Sequence, residues 1–379
     1  MHVLVNALSA RAGGGWTYLV NLLDELERDP RGIDFTFLVP KNSSARLPST
    51  RFELMEVDYG PTILRIVYEQ LRLPSVAKAY DLLFCVADIA PRLKTVPTIA
   101  FLRNLNIYDR RFYDNLRLKS FEAFVRLGLV GLDRALAPSR AAADAIATVL
   151  GIPPDTVSVV PHGIDAIRFR DPERSAVGSG VPNYVFIPAA VEKHKNLDVV
   201  VEALAARPDE ALQAWIAGGF ETDPTYRDHL LDLARTRGVA DRFRLLGPVD
   251  YERIPALYAD SVALVFPSLL ETFGHPLIEA MATGTPVVAS DLPVFHEIGG
   301  GAGWYFDPMS GDALADTIDR VRSDAAERGR RVRLGRSRAD EFSWKSSIDR
   351  LCEIFEEVVA HRDGSAAAAG RLPGPTERI

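Results

Sequence analysis

Two glutamates stand with seven residues between them in Glu271-Thr-Phe-Gly-His-Pro-Leu-Ile-Glu279. The segment follows an apolar run, Val262 to Phe266, that reads as a strand. Pro276 suits the first position of a helix, because its φ is already helical and its missing N–H is not needed there. Gly284 suits the end of that helix. Glu271 then falls in the turn, and Glu279 falls on the helix. Thr285-Pro-Val-Val-Ala-Ser290 begins the next strand. Strand, turn, helix and strand in this order belong to a parallel sheet, and open α/β sheets bind ligands at their C-terminal edge. A helix N-terminus favours a phosphate, and carboxylates accept hydrogen bonds from hydroxyls. Phosphate beside hydroxyl is the chemistry of a nucleotide sugar. The plainer alternative is an amphipathic helix with a solvated acid at each end.

Lys195 lies between an apolar run, Tyr184 to Pro188, and a helical segment. It is either a solvent-facing lysine at a helix start or a cation that meets a diphosphate and neutralises charge on a leaving nucleotide. Gly13-Gly14-Gly15 follows the first strand. It is either a flexible connector or a place where backbone approaches a ligand closely. The lack of a Gly-x-Gly-x-x-Gly after that strand argues against a dinucleotide oxidoreductase. There is no Asp-x-Asp and no Cys/His cluster with zinc spacing. Cys85 and Cys352 are the only cysteines, too few for a disulfide framework and consistent with a reducing cytoplasm.

These residues need sheets to hold them. Strand signals at Val3–Val5, Phe35–Val39, Leu82–Val86, Thr98–Leu102, Ala135–Pro138 and Val157–Pro161 alternate with helical segments such as Thr17–Leu26. Ser139 is a good N-cap for the Ala-rich segment after it. From Ala166 to Asn183 the chain is interrupted by Pro172, Gly178, Gly180 and Pro182, and reads as a linker. A second alternating series follows: Tyr184–Pro188, Leu197–Ala206, Ala214–Ala217, Thr225–Arg237, Arg242–Gly247, Tyr251–Ala259 and then the glutamate strand. With 379 residues the chain is long enough for two domains. The expected plan is two tandem, doubly wound α/β domains, residues 1–165 and 166–344, facing a cleft. A helix over 345–361 and a tail over 362–379, rich in Ala, Gly and Pro and expected to be disordered, complete it.

The block from Pro267 to Asp291 resembles the signature of the retaining glycosyltransferases of family four, which have the GT-B fold of two Rossmann-like domains. Further segments carry the resemblance in order: Gly13–Gly15, Ala137-Pro-Ser139, Val160-Pro-His-Gly-Ile-Asp165, His194-Lys-Asn196, Gly218-Gly219, Gly247-Pro-Val249 and Phe342-Ser-Trp344. The resemblance implies an acceptor-side first domain, a donor-binding second domain and a final helix that returns to the first. It implies that Glu271 lies at the donor sugar and that Glu279 holds the ribose hydroxyls. Phe273, Gly274, His275, Pro276 and Leu277 would meet the sugar and diphosphate through their backbone, with Lys195 on the diphosphate. Gly14, Gly15, Gly218, Gly219 and Val249 would line the donor pocket; Gly13, Arg103 and Asn104 would face the acceptor. Catalysis would fall to Glu271, Lys195 and Arg103, without metal. The implied route is front-face, through an oxocarbenium-like transition state, with the departing phosphate helping to deprotonate the acceptor. Two positions depart from the family. Ala189 stands where an arginine is frequent, with Lys193 or His194 available to compensate. Arg103 stands where many members have a histidine, and it either binds an acceptor phosphate or forms a structural ion pair. His162 replaces a commoner asparagine and is given no catalytic role.

The net charge of −7 argues against a general nucleic-acid binder. Charge is uneven: residues 1–165 hold 19 basic and 18 acidic side chains, the rest 25 and 33. Between Arg92 and Arg140 there are ten basic and four acidic residues. Within 110–129, Leu118, Phe121, Val125 and Leu129 fall near one helical face. That face either packs on the core or touches anionic lipid. No apolar run approaches the roughly 18 residues of a membrane span, and Met1–Ala7 reads as a strand rather than a signal peptide. The expectation is a cytoplasmic enzyme, peripheral on the inner face of the plasma membrane. It would move a mannose-, rhamnose- or glucose-type hexose from a GDP-, UDP- or dTDP-type donor to a saccharide or lipid-linked acceptor of a surface polysaccharide. The alternatives are a non-catalytic nucleotide-sugar-binding subunit and a GT-B epimerase, for which no acid/base set stands out.

Overall fold

The computed structural model describes residues 1–11, 13–29, 31–105, 108–112, 116–170, 183–208, 211–220 and 223–362. The chain forms two units. One is Met1–Gly163 with the chain from Trp344, and the other is Ile164–Ser343.

In the first unit the strands are β1 His2–Asn6, β2 Asp34–Pro40, β3 Glu53–Val57, β4 Leu82–Cys85, β5 Thr98–Phe101, β6 Arg134–Ala137 and β7 Val157–Val159. They lie in the order β3-β2-β1-β4-β5-β6-β7, and all pairs are parallel. Burial on both faces explains why β1, β2 and β4 are almost wholly apolar. Helix Gly13–Glu27 packs Leu19, Leu22, Leu23 and Leu26 into the core beside Val3, Val5 and Phe84. Helix Trp344–Arg362 adds Ile348, Leu351 and Phe355 to the same core, with Phe355 at 5.2 Å from Phe84. Each such side chain contributes about 1.5–3 kcal/mol on burial. Ser139 caps helix Arg140–Leu150 by accepting from Ala142 N.

The second unit holds β8 Tyr184–Pro188, β9 Gln213–Ala217, β10 Phe243–Gly247, β11 Ala263–Phe266, β12 Val287–Ser290 and β13 Gly303–Phe306, in the order β10-β9-β8-β11-β12-β13, again all parallel. In both sheets the order reverses at one place, between β1 and β4 and between β8 and β11. Ligands of doubly wound sheets bind outside the strand ends at such switch points.

Several elements differ from the sequence reading. The three glycines are not a loop but the first turn of helix Gly13–Glu27, where N–H groups have no partner within the helix in any case. β3 was not foreseen, because an edge strand carrying Glu53 and Glu56 lacks the apolar run of a buried one. Helices Thr62–Leu71, Gly311–Ser323 and Ala325–Ala339 were also missed. Of the expected linker, Ala166–Arg170 is a short helix and 171–182 lie outside the described residues, as do 363–379 of the expected tail.

Candidate active site

At the switch point of the second unit, the chain leaves β8 into Ala189-Ala190-Val191. This turn is pressed onto the end of β9: a Cβ on Gly218 would lie 2.2 Å from the Ala189 carbonyl oxygen, so only glycine fits. Val191 N donates to the Gly219 carbonyl at 2.8 Å, and Gly218 N to that of Gly247 at 2.9 Å. A 3-10 turn, Lys193–Lys195, follows and ends on Asn196 in the left-handed region, φ 54°. The Asn196 amide donates to the carbonyls of Pro267 at 3.1 Å and Pro308 at 2.8 Å. Leu269 N donates to the His194 carbonyl at 2.8 Å. The loops after β8, β11 and β13 are thus tied together by one amide.

This tie delivers Lys195 to Glu271. The Lys195 Nζ stands 2.5 Å from Glu271 Oε1, and the two side chains are 19% and 15% exposed. The ammonium also lies 5.6 Å from the centre of the Phe266 ring. Helix His275–Thr283 begins directly after, on Gly274 at φ +103°, with no side-chain cap among the described residues. A Cβ on Gly274 would press on Phe295 and Phe266 at 3.3 and 3.4 Å. Phe273 and Leu277 are buried, so only their backbones are available to a ligand. Leu277 N already donates to the Gly274 carbonyl at 3.0 Å.

On the same helix, Glu279 accepts from Tyr258 Oη at 2.8 Å and from Tyr251 Oη at 3.3 Å. Burial pushes the Glu279 carboxyl above the ordinary glutamate range, and the two tyrosine hydroxyls pull it part of the way back. Sequence reasoning missed both tyrosines, 28 and 21 residues away. His194, one of the two residues expected to compensate for Ala189, is buried. The ring is 4% exposed, and burial, then Lys195, push its pKa below the usual histidine value. Lys193, the other residue at this turn, is exposed.

The first unit gathers a second set at its strand ends. Asp88, after β4, accepts at Oδ1 from Arg103 N at 2.9 Å and Asn104 N at 3.2 Å. Burial raises the Asp88 pKa, and these donors oppose the rise. The Arg103 guanidinium lies 4.8 Å from the Tyr18 ring centre and 5.6 Å from that of Phe101. Gly15 lies beside it: a Cβ there would be in ordinary van der Waals contact with the guanidinium at 3.9 Å. Tyr18 is fully buried, and its hydroxyl finds no hydrogen-bond partner among the described residues. His162 is buried against the rings of Tyr18, Phe101 and Trp344.

Comparison with known proteins places the chain in a family. A model described as Glycosyltransferase Family 4 matches residues 12–168, and one described as Glycosyl transferases group 1 matches residues 170–338. The chain belongs to glycosyltransferase family four. Among curated relatives, the D-inositol 3-phosphate glycosyltransferase of Nocardia farcinica is 30% identical over 295 residues, 74% of this chain and 64% of that protein. The O-antigen chain mannosyltransferase RfbU of Salmonella typhimurium is 28% identical over 230 residues, 59% of this chain and 62% of that one. The matched stretches span less than two thirds of these relatives. The crystal structure of Anabaena HepE in complex with UDP-glucose matches with a TM-score of 0.76 at 18% identity, covering 94% of this chain and all of that one. The fold is GT-B.

Within this family-four chain the expected donor residues Lys195, Gly218, Gly219, Val249, Glu271, Phe273–Leu277 and Glu279 lie in the second unit, and the other two, Gly14 and Gly15, lie in the first. The expected acceptor-side residues Gly13, Arg103 and Asn104 also lie in the first. The helix Leu116–Leu129 buries Val125 and Leu129, so that side of its apolar row faces the core. Glu122 pairs with both Arg110 and Arg126, at 3.4 and 3.0 Å. No helix among the described residues is long and apolar enough to cross a membrane.

Proposed function

We propose that this chain is a retaining hexosyltransferase that uses a nucleoside diphosphate sugar. The observation that carries the reading is the Lys195–Glu271 pair at the β8/β11 switch point, beside the start of helix His275–Thr283. A diphosphate bound there would compete with Glu271 for the ammonium. Lys195 and the helix N-terminus would then hold the negative charge that grows on the leaving group, with no metal needed for that task. Glu271, released from Lys195, would accept from a sugar hydroxyl. Glu279 would accept from the ribose hydroxyls in place of Tyr251.

In the proposed step the bond from the anomeric carbon to the phosphate oxygen breaks, and the acceptor oxygen bonds to the same face. The acceptor's proton passes to the departing phosphate oxygen, and a nucleoside diphosphate leaves. Arg103 and Asn104, fixed by Asp88, would position the acceptor. A saccharide or lipid-linked saccharide of a surface polysaccharide is the class we favour, supported by the kind of relative found. The donor is of GDP, UDP or dTDP type, and the sugar is mannose, rhamnose or glucose. For a lipid-linked acceptor, basic side chains of 110–129 such as Arg111 and Lys119, both exposed, would meet anionic headgroups at the inner face of the membrane.

The test is a panel of nucleotide sugars incubated with the purified chain. Slow release of nucleoside diphosphate from one donor, lost in Glu271→Ala, is expected. No release from any donor, with or without a saccharide acceptor, would leave a binding subunit as the better reading.

A further inference from the structure

Helix Thr62–Leu71 is turned inside out. Its buried face carries Arg65 and Glu69, which pair at 3.8 Å, with Ile66 beside them. Glu69 also accepts from the Asn6 amide, at the end of β1, at 3.1 Å. These contacts fix the rotation of the helix. At about 100° per residue, Ile63, Val67, Leu71 and Leu64 fall within a stripe about 100° wide, and Arg65 and Glu69 lie opposite its middle. The stripe therefore faces outward, with Ile63 56%, Leu64 52%, Val67 43% and Leu71 71% exposed. One exposed leucine needs no reason, but four large apolar side chains on one face of a ten-residue helix form a patch that does.

The patch continues onto the neighbouring loop. Arg92 N donates to Gln70 Oε1 at 2.9 Å, and Gln70 Nε2 donates to the Ala90 carbonyl at 3.1 Å. Leu93, next in the chain, is 64% exposed. Arg72, Lys78 and Arg92 are exposed around it, while the one carboxylate between residues 61 and 80, Glu69, is buried. The result is an apolar ridge rimmed by cations. A protein partner could match the apolar part, but cations around a shallow apolar ridge complement acyl chains beneath anionic headgroups.

We propose that this helix and Leu93 dock the chain on an anionic lipid surface, with the leucines entering the acyl boundary and Arg72 and Arg92 meeting the headgroups. The surface is distinct from the segment 110–129, where Val125 and Leu129 face the core. It does not depend on the transfer reading, because binding is measured without donor or acceptor.

The full chain is mixed with phosphatidylcholine vesicles, with and without phosphatidylglycerol, and floated on a gradient. Flotation with the anionic vesicles is expected, reduced at least tenfold in Leu64→Ser/Leu71→Ser at unchanged melting temperature. Arg72→Glu/Arg92→Glu should lose the preference for anionic vesicles. As a second readout, Val67→Cys carries a polarity-sensitive dye; native Cys85 and Cys352 are buried. Its emission should shift to the blue on anionic vesicles only. Wild-type chain that stays unbound, a silent dye, or a serine variant that floats like wild type overturns the proposal. A dimer in light scattering that the serine variant dissolves overturns it in favour of a second copy on this face.

Discussion

Lys195 Nζ lies 2.5 Å from Glu271 Oε1 although 76 residues separate them in the chain. The two form an ion pair whose side chains are largely buried. Replacing one removes its own function and also leaves the other charge without its partner. Lys195→Met is expected to lower kcat for donor cleavage by about 10²–10³, the size of a lost charge-stabilising donor. Glu271→Gln should do comparable harm. The double variant should be little worse than either single one, since residues acting as a unit are not additive. Steady-state rates on the best donor of the panel check this. Wild-type turnover in either single variant contradicts the mechanism.

Glu279 gives a pH dependence whose sign can be worked out. Burial raises its pKa, so the folded chain keeps this proton at pH values where the unfolded chain has lost it. Stability linked to the neutral carboxyl is full below the unfolded value and is lost as pH rises through the folded one. In the proposed role Glu279 accepts from the ribose hydroxyls, and an ionised carboxylate is the stronger acceptor, so nucleotide affinity should rise over the same window. Tyr258 donates to the carboxylate and favours its ionisation. Tyr258→Phe should therefore move the rise in affinity to higher pH and weaken binding below it. Calorimetric titration of nucleoside diphosphate between about pH 5 and 8 reads both effects.

The parallel sheets were legible because strands buried on both faces are continuous apolar runs. The turn into helix His275–Thr283 was legible because Pro276 and Gly284 have fixed conformational meanings. The partners of the site were not. Asn196 reaches carbonyls 71 and 112 residues away, and Asp88 collects N–H groups 15 and 16 residues on. Such contacts depend on which strand ends the topology brings together, and local pattern does not carry that. The helix Thr62–Leu71 shows the same limit. Its periodicity is helical, but only the Asn6–Glu69 contact reveals that its polar face is the buried one.

Asn196 holds Lys195 in place, and its own backbone is left-handed at φ 54°. Asn196→Gly keeps that conformation but loses the two hydrogen bonds that the side-chain amide donates, for a cost of about 1–2 kcal/mol. Asn196→Ala adds about 1–2 kcal/mol of backbone strain. Asn196→Asp sets a carboxylate against the carbonyls of Pro267 and Pro308 and should be the least stable. The expected order of stability in urea denaturation is wild type, Gly, Ala, Asp. Donor cleavage should fall even in the Gly variant, because the turn that carries Lys195 is no longer fastened to the Glu271 loop.

Arg103 and Asp88 separate geometry from charge. Asp88 acts through Oδ1, which accepts both the Arg103 and Asn104 N–H groups. An asparagine oxygen accepts equally well, so Asp88→Asn should retain most of the activity. Asp88→Ala releases the loop and should raise the acceptor KM about tenfold or more, with a smaller change in donor KM. The Arg103 guanidinium lies over the faces of Tyr18 and Phe101, a stack that a planar group makes and an ammonium does not. Arg103→Lys should therefore resemble Arg103→Ala in acceptor KM rather than rescue it. If Asp88→Asn were as damaged as Asp88→Ala, the carboxylate would be acting through its charge, and Asp88 would be more than a loop anchor.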